Sequence, residues 1–185
     1  MGAKPAPRAG QDEAVGAVEF RVARAEDVPA VADVKVASWR STYSDLIEAD
    51  VLKPFLEPDR QRASLQHAIA DPNTVLIVAE EGGLIIAFGI GEAPSGYIDS
   101  LHVSPGHRGD GVGRRLLGRL ARALLELGCT ELTLHVVSSN LRARQFYERL
   151  EAEFTGTAPA SWASEVHEAH YLWRDLHQLI RAAER

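Results

Sequence analysis

A glycine-rich segment at residues 103–115 places the strongest constraint on the fold of this chain of 185 residues. The residues before it, Tyr97–Val103, include the aromatic and β-branched types of a strand, and those after Gly111 carry leucines at helical spacing. Gly109, Gly111 and Gly113 alternate at the junction, where the absence of side chains lets a ligand approach the backbone. The segment therefore predicts a strand, a loop and a helix in direct succession, with a binding site at the loop.

The start of this predicted helix is suited to bind phosphate groups. The first N–H groups of a helix have no partner within it and carry partial positive charge, so they attract phosphate oxygens. Arg108 and Arg114 would add full positive charges beside the loop. A flexible glycine turn with solvated arginines is the alternative, but three alternate glycines at a strand-to-helix junction favour the phosphate site.

Two common nucleotide-binding motifs do not fit the segment. The P-loop needs Gly-Lys-Ser/Thr at the helix start, whereas Gly113 is followed by Arg114 and Arg115. The dinucleotide-binding motif needs a glycine at position 114 if Gly109 is its first, and it opens an early βαβ unit. Here the loop follows a run of strands joined by tight turns, so both motifs are disfavoured.

The rest of the chain predicts one mixed α/β domain with a layered, α+β arrangement. We expect helices over residues 27–43, 47–56, 58–71, 111–127 and 140–150. We expect strands over residues 18–24, 74–79, 84–90, 97–103, 131–137, 154–158 and 166–174. The predicted organisation is a flexible leader over 1–17, the domain over 18–176 and a C-terminal tail over 177–185.

The composition argues against several classes of protein. A net charge of −6 disfavours general nucleic-acid binding, and no apolar run approaches the ~20 residues that span a membrane. The leader lacks the apolar core of a signal peptide. A single cysteine, Cys129, rules out an internal disulfide framework and suits the cytoplasm, and we expect a buried thiol there rather than a nucleophile.

Three segments of the chain resemble the GNAT superfamily of N-acetyltransferases in order and spacing. Arg108-Gly-Asp-Gly-Val-Gly113 resembles the family's Arg/Gln-x-x-Gly-x-Gly/Ala motif, and residues 97–105 resemble the strand before it. Residues 139–150 are similar to the family's Asn-x-x-Ala-x-x-Phe-Tyr segment, although Glu151 and Ala152 follow where the family usually has glycine. The resemblance implies an acyl-CoA N-acyltransferase fold with a mixed, mostly antiparallel sheet of six to seven strands flanked by helices.

The resemblance also implies a site for acetyl-coenzyme A, bound as co-substrate without a metal, in a V-shaped opening between strands 97–103 and 131–137. Asn140 would bond the pantetheine arm, or serve only as a helix cap, or do both with different atoms. The other implied cofactor-binding residues supply backbone to the pantetheine arm (Leu101, His102, Val103), hold the pyrophosphate (Arg108, Gly109, Asp110, Gly111, Val112, Gly113, Arg114) or pack nearby (Phe146).

The implied reaction is direct attack of a primary amine on the acetyl group in a ternary complex. Tyr147 would act as general acid towards the departing thiolate, although a packed aromatic is the alternative for this residue. The N–H of Val103 would stabilise the oxyanion. A non-catalytic sensor that binds CoA or acyl-CoA, and an enzyme that uses a longer acyl donor, remain open.

Two residues are candidates for the general base that removes the amine proton. Asp99 lies two and four residues before Leu101 and Val103, so we expect all three on one strand face, opposite His102. His135 lies mid-strand and has a suitable free pKa of ~6.5, with a half-buried structural histidine as the alternative. Many members of the family rely on water chains, so a single base is not required.

The acceptor amine is not identified by the sequence; a small molecule or a peptide would fit. Trp39 and Tyr43 lie four residues apart on one helix face and are candidates for substrate binding or for the core. We expect the loop 159–164, with Trp162, to close over the site. Glu165 and Glu168 near it would suit a cationic amine, with solvated surface charges as the alternative. Exposed edge strands near the C-terminus would allow a homodimer.

Overall fold

Seven strands form one central sheet in the computed structural model, which describes residues 17–185. The predicted leader lies outside the described residues except for Ala17. The strands are β1 (Glu19–Val22), β2 (Thr74–Glu81), β3 (Leu84–Glu92), β4 (Tyr97–Val103), β5 (Leu132–Val137), β6 (Glu153–Ala160) and β7 (Ala163–Trp173). The helices are α1 (Val28–Tyr43), α2 (Ala49–Leu52), α3 (Pro58–Ala70), α4 (Val112–Glu126), α5 (Leu141–Arg149) and α6 (Leu176–Glu184).

The strand order confirms the mixed, mostly antiparallel sheet. The order is β1-β2-β3-β4-β5-β7-β6, and only the central pair, β4 and β5, runs parallel. The crossover between these two strands contains α4, as parallel neighbours require. The glycine loop therefore lies at the centre of the sheet, at the carboxyl end of β4.

Helices cover both faces of the sheet. The leucine stripe of α4 packs on one face, where Leu116, Leu120 and Leu124 are fully buried. Helices α1 and α3 cover the other face, with Val31 and Leu65 at their contact with β2 and β3. Apolar side chains therefore point to both faces of the sheet, and the core has two layers, one on each face.

Two expectations from composition can be compared with the structure. Cys129 follows α4 and is buried in the core, which confirms the expectation of a buried thiol. Within residues 17–185, none of the helices combines the length and the apolar character needed to cross a bilayer.

The predicted C-terminal tail is wrong, because those residues form most of α6 and belong to the core. Leu179 is fully buried. Ala183 packs closely on α4, since a Cβ added to Gly118 of α4 would lie only 2.7 Å from the Cβ of Ala183. Asp175 caps the helix by accepting hydrogen bonds from the N–H groups of His177 and Gln178. The domain therefore extends to the last residues of the chain.

We expect Leu179→Ala to destabilise the protein, since the truncation leaves a cavity between α6 and α4. The expected loss is about 2–5 kcal/mol of unfolding free energy, measured by urea denaturation. Leu84→Ala is the matched control, because Leu84 is 71% exposed and should cost little. Equal stability of the two variants would contradict the assignment of α6 to the core.

Candidate active site

A cleft of about 840 Å³ opens where β4 and β5 separate. The two strands pair only at Tyr97 with Thr133 and Ile98 with Leu134, near their amino ends. Beyond this point they diverge, and the facing edges of β4 and β5 have no strand between them. The V-shaped opening that the family resemblance implied is therefore present in the fold.

The glycine loop forms one end of the cleft. Gly109 and Gly111 have φ angles of 108° and 76°, a left-handed conformation that strains other residues. Gly111 is the N-cap of α4, and among residues 17–185 no side chain accepts a hydrogen bond from the first turn of the helix. The amides at this helix start are thus available to a ligand, and a Cβ on Gly109 would meet no protein atom within 4 Å.

The two arginines predicted beside the phosphates have protein partners instead of lying free. The Arg108 guanidinium turns towards α1, where Nη2 donates to Ser38 Oγ and Thr42 Oγ1, both at 3.1 Å. Arg114 Nη1 donates to the carbonyl of Ala183 in α6 at 2.6 Å. Both line the cleft and add positive charge there, but their hydrogen bonds chiefly fix the loop to α1 and α6.

The wall below the loop is apolar. A Cβ on Gly113 would lie 3.4 Å from Val103 Cγ2 and 3.7 Å from the ring of Phe146. Leu101 also packs on the core beside α4, so the carboxyl half of β4 presents aliphatic side chains on this face. Leu101, Val103 and Phe146, which were predicted to lie along the pantetheine arm, therefore belong to one apolar wall.

Asn140 caps α5 and also contacts α1. Its Oδ1 accepts from the N–H of Ala143 at 3.1 Å, and its Nδ2 donates to Tyr43 Oη at 3.2 Å. The capping role is thus confirmed, and one hydrogen of the amide is left for a further acceptor. Tyr43 is buried, which raises the pKa of its phenol, while the bond from Asn140 acts in the opposite direction.

Tyr147 presents a hydroxyl with no partner to the cleft. Its ring is 7% exposed and packs against Phe146, Tyr171 and Trp173. Within residues 17–185 the structure shows no hydrogen bond to its hydroxyl, although it lines the cleft. Burial raises the pKa of this phenol above the usual value, so the group stays protonated and able to donate.

Asp99 lies on the other side of the sheet from the position that the sequence predicted. In the pairing of β3 with β4, Ile90 faces Ser100 and Gly91 faces Ile98, so Asp99 is an extra residue in a β-bulge. The bulge reverses the alternation, and the Asp99 charge acts on Lys35 of α1. The expectation that Asp99 shares a face with Leu101 and Val103 is therefore wrong.

His102 also faces α1 and has a structural contact there. Its Nδ1 lies 3.1 Å from Ser38 Oγ, and its ring packs on Phe88. Desolvation, followed by the charges of Lys35 and Arg108, lowers the pKa of His102 to about 3. The expectation that it lies opposite Asp99 is wrong, but its side chain stays neutral and makes a hydrogen bond, as a structural residue does.

His135 lies on the same face of the sheet in a cluster that the sequence did not predict. Its ring stacks on His170 at 3.7 Å with 14° between the planes, and its Nδ1 lies 3.8 Å from Glu168 Oε2. Burial, and then the neighbouring His170, lower the pKa of His135, while Glu168 acts in the opposite direction. Trp162 Nε1 donates to Glu168 Oε1 at 3.0 Å and holds the carboxylate in place.

The geometry of this cluster suits proton transfer better than metal binding. The candidate ligand atoms of His135, Glu168 and His170 lie within 4.8 Å of one another, which is close enough for three ligands. A metal needs imidazole lone pairs that converge on one point, and these lie in the ring planes. Because the two rings are nearly parallel, their lone pairs run side by side.

Aromatic rings cover the cleft above this cluster. Trp39 stacks on Phe55 with 4.1 Å between centroids, and Trp162 meets Phe55 edge-on at 4.9 Å. The loop predicted over 159–164 is a tight turn at residues 161–162 between β6 and β7. Trp39 and Tyr43 line the cleft and also pack in a small core cluster, so both of their proposed roles fit the structure.

Comparison with known proteins identifies the family. Residues 39–152 match the model of the acetyltransferase (GNAT) family, and the chain belongs to that family. It is 30% identical over 139 residues to an acetyltransferase of Pectobacterium atrosepticum, covering 74% of this chain and 88% of that protein. It is 35% identical to thialysine N-ε-acetyltransferase of Bos taurus, but over only 57 residues, 31% of this chain and 34% of that enzyme.

Solved structures share the fold at low sequence identity. The PaiA N-acetyltransferase of Thermoplasma acidophilum, solved in complex with coenzyme A, superimposes with a TM-score of 0.73 at 16% identity, covering 85% of this chain and 99% of that one. YncA of Salmonella typhimurium, solved with acetyl-CoA, gives 0.68 at 19% identity over 86% of this chain and 94% of that one.

Proposed function

We propose that this acetyltransferase moves the acetyl group of acetyl-CoA to a primary amine by direct attack in a ternary complex. The observation that carries the proposal is the divergence of β4 and β5 beside a helix start whose amides have no side-chain cap. A phosphate cradle at one end of an open strand edge matches the two parts of coenzyme A. Related structures solved with coenzyme A or acetyl-CoA support the choice of ligand.

The coenzyme would lie along the cleft with its pyrophosphate at the glycine loop. Backbone amides of residues 108–114 would bind the phosphate oxygens at the start of α4. The edge of β4 at residues 101–103 would pair with the pantetheine arm as an added strand, and Phe146 would pack against it. Asn140 would donate its remaining amide hydrogen to the arm.

The chemistry would take place where the two strands begin to diverge. His135 accepts the proton of the amine, with Glu168 stabilising the imidazolium that results. The neutral amine nitrogen then bonds to the acetyl carbon, the carbon–sulfur bond breaks, and the second amine proton leaves to solvent as the amide forms. Tyr147 donates a hydrogen bond or a proton to the departing thiolate, while the N–H of Val103 is our candidate for the oxyanion donor.

The direct test is turnover of acetyl-CoA with a panel of amines. Free thiol release would be followed with time, and product masses would show the added acetyl group. Calorimetric titration with CoA separates binding from turnover. Coenzyme binding without thiol release for any amine would favour the sensor, and release only from longer thioesters would change the acyl donor.

We expect His135→Asn to lower kcat by about 100-fold, because the variant has no group that accepts the proton. Because the pKa of His135 is lowered from its ordinary value of 6.5, the ring is neutral at any pH above 6.5. Activity that depends on the neutral ring therefore falls only at acidic pH. The pH profile of kcat at saturating amine should lose that acidic limb in the variant. Asp99→Asn should retain the limb; the opposite pattern would make Asp99 the base.

The assembly and location of the protein are separate predictions. β6 forms one edge of the sheet and exposes Phe154, which supports a homodimer through this edge. A cytoplasmic location is proposed from the single, reduced cysteine.

A further inference from the structure

One corner of the cleft carries charged groups that neither coenzyme binding nor acetyl transfer uses. The corner lies between α1 and α3, on the face of the sheet opposite α4. It is lined by Lys35 of α1 and by Arg60, Gln61 and Ser64 of α3. Asp99, whose charge acts on Lys35, also lines the cleft, so the corner holds two cations beside one carboxylate and has a net positive charge.

Lys35 is the informative residue, because its ammonium has no partner. Its side chain is half-buried, which lowers its pKa, while the charge of Asp99 acts in the opposite direction. Within residues 17–185 the structure shows no hydrogen bond or ion pair to Lys35. By contrast, the half-buried Arg21 bonds both Asp27 and Glu80. Asp99, the charge that acts on Lys35, lies beyond ion-pair distance, so the ammonium is free to pair directly with an anionic ligand.

Another part of the same pocket has the complementary chemistry. Glu168 is 15% exposed and faces His135, so an ammonium group that approaches there meets a carboxylate and a proton acceptor. The rings of Trp39, Phe55 and Trp162 lie above and make an apolar wall. The pocket thus combines a cationic corner, an apolar wall and an acidic end.

From this arrangement we infer that the acceptor is an amino acid with an apolar or aromatic side chain. Its carboxylate lies against Lys35, its amine faces His135 and Glu168, and its side chain packs on the aromatic wall. The inference rests on the proposed acetyl transfer and names the substrate class for it. Polyamines and other polycations are disfavoured, because they would bring further positive charge to Lys35 and Arg60.

The test compares acceptors that differ only in the carboxylate. Phenylalanine is paired with phenylalaninamide, leucine with leucinamide, and 6-aminohexanoate with its amide, which lengthens the distance between the amine and the carboxylate. We expect at least one acid to exceed its amide in kcat/KM by roughly 10- to 100-fold, the usual range for a charge-assisted bond. Amides that equal or exceed all of their acids would overturn the inference.

Variants of Lys35 connect the preference to the residue. Lys35→Met keeps the length and removes the charge, so it should raise KM for the acid and leave the amide unchanged, which abolishes the preference. Lys35→Arg should retain much of it. Lys53→Met is the matched control, because Lys53 is exposed and lies outside the cleft. Equal losses for acid and amide in Lys35→Met would indicate a merely structural role.

A binding measurement separates failure of this inference from failure of the proposed reaction. Trp39 and Trp162 line the pocket, so their fluorescence should change when an amino acid enters the CoA-loaded protein. The acid should bind at least about tenfold more tightly than its amide, whether or not turnover occurs. Turnover of amines without any carboxylate preference would overturn only the amino-acid acceptor. Carboxylate-dependent binding without thiol release would overturn only the transferase.

Discussion

Tyr147→Phe should reduce thiol release by roughly 100- to 10,000-fold while CoA affinity stays unchanged. The substitution removes one hydroxyl, which has no hydrogen bond within residues 17–185 and lines the cleft. Its loss therefore costs little folding energy, but the thiolate would depart without a donor. Steady-state thiol release and calorimetric titration with CoA measure the two quantities separately.

Tyr171→Phe is the control for this experiment. Tyr171 is 1% exposed, and its hydroxyl accepts a hydrogen bond from Arg144 and donates one to Glu148. It packs against Tyr147 but does not line the cleft. We expect this variant to lose stability and keep its rate. A Tyr147→Phe enzyme that works at the normal rate would exclude Tyr147 as the acid.

Gly111→Val should weaken CoA binding by roughly 1,000-fold. Valine is strained at a φ of 76°, by about 1–2 kcal/mol, so the loop would rearrange. The rearrangement would misdirect at least two amides, and each hydrogen bond to a charged phosphate contributes about 1.5–3 kcal/mol. Calorimetric titration with CoA measures the loss.

A substitution of equal strain at the other end of α4 provides the control. Gly128 has a φ of 91° and open space around it, and it lies beyond the carboxyl end of the helix. Gly128→Val should therefore cost similar stability and leave CoA affinity unchanged. Equal losses of affinity in both variants would show that destabilisation, rather than the phosphate cradle, is responsible.

The parts of the fold that depend on local pattern were predictable from the sequence. The leucine stripe of α4 and the hairpin turn at Gly82 and Gly83 are set by neighbours a few residues away. The proposed coenzyme cleft could be placed along the chain because its glycine loop also depends on local spacing. The resemblance to a family then supplied the divergence of β4 and β5, which no local pattern indicates.

His135, Glu168, Trp39 and Tyr43 were named from the sequence, but their arrangement on the acceptor side could not be predicted, because long-range pairing creates it. His135 and His170 are stacked because β5 pairs with β7 in that register, and nothing near either residue specifies it. The bulge at Asp99 is equally hidden, since one extra residue in β4 reverses its face. From the sequence alone, Lys35 cannot be distinguished from an ordinary surface lysine of a helix. Helix α6 could have been predicted from a local signal, because Asp175 precedes apolar residues at helical spacing, which is typical of a capped helix start.

The contact between α6 and α4 couples the end of the chain to the proposed coenzyme site. The hydrogen bond from Arg114 to Ala183 joins the first turn of α4 to the last turn of α6. The carboxyl-terminal residues therefore help to hold in position the amides that are proposed to bind pyrophosphate. Removing only the final turn of α6 would remove this hydrogen bond and weaken phosphate binding at the start of α4, some seventy residues earlier in the sequence.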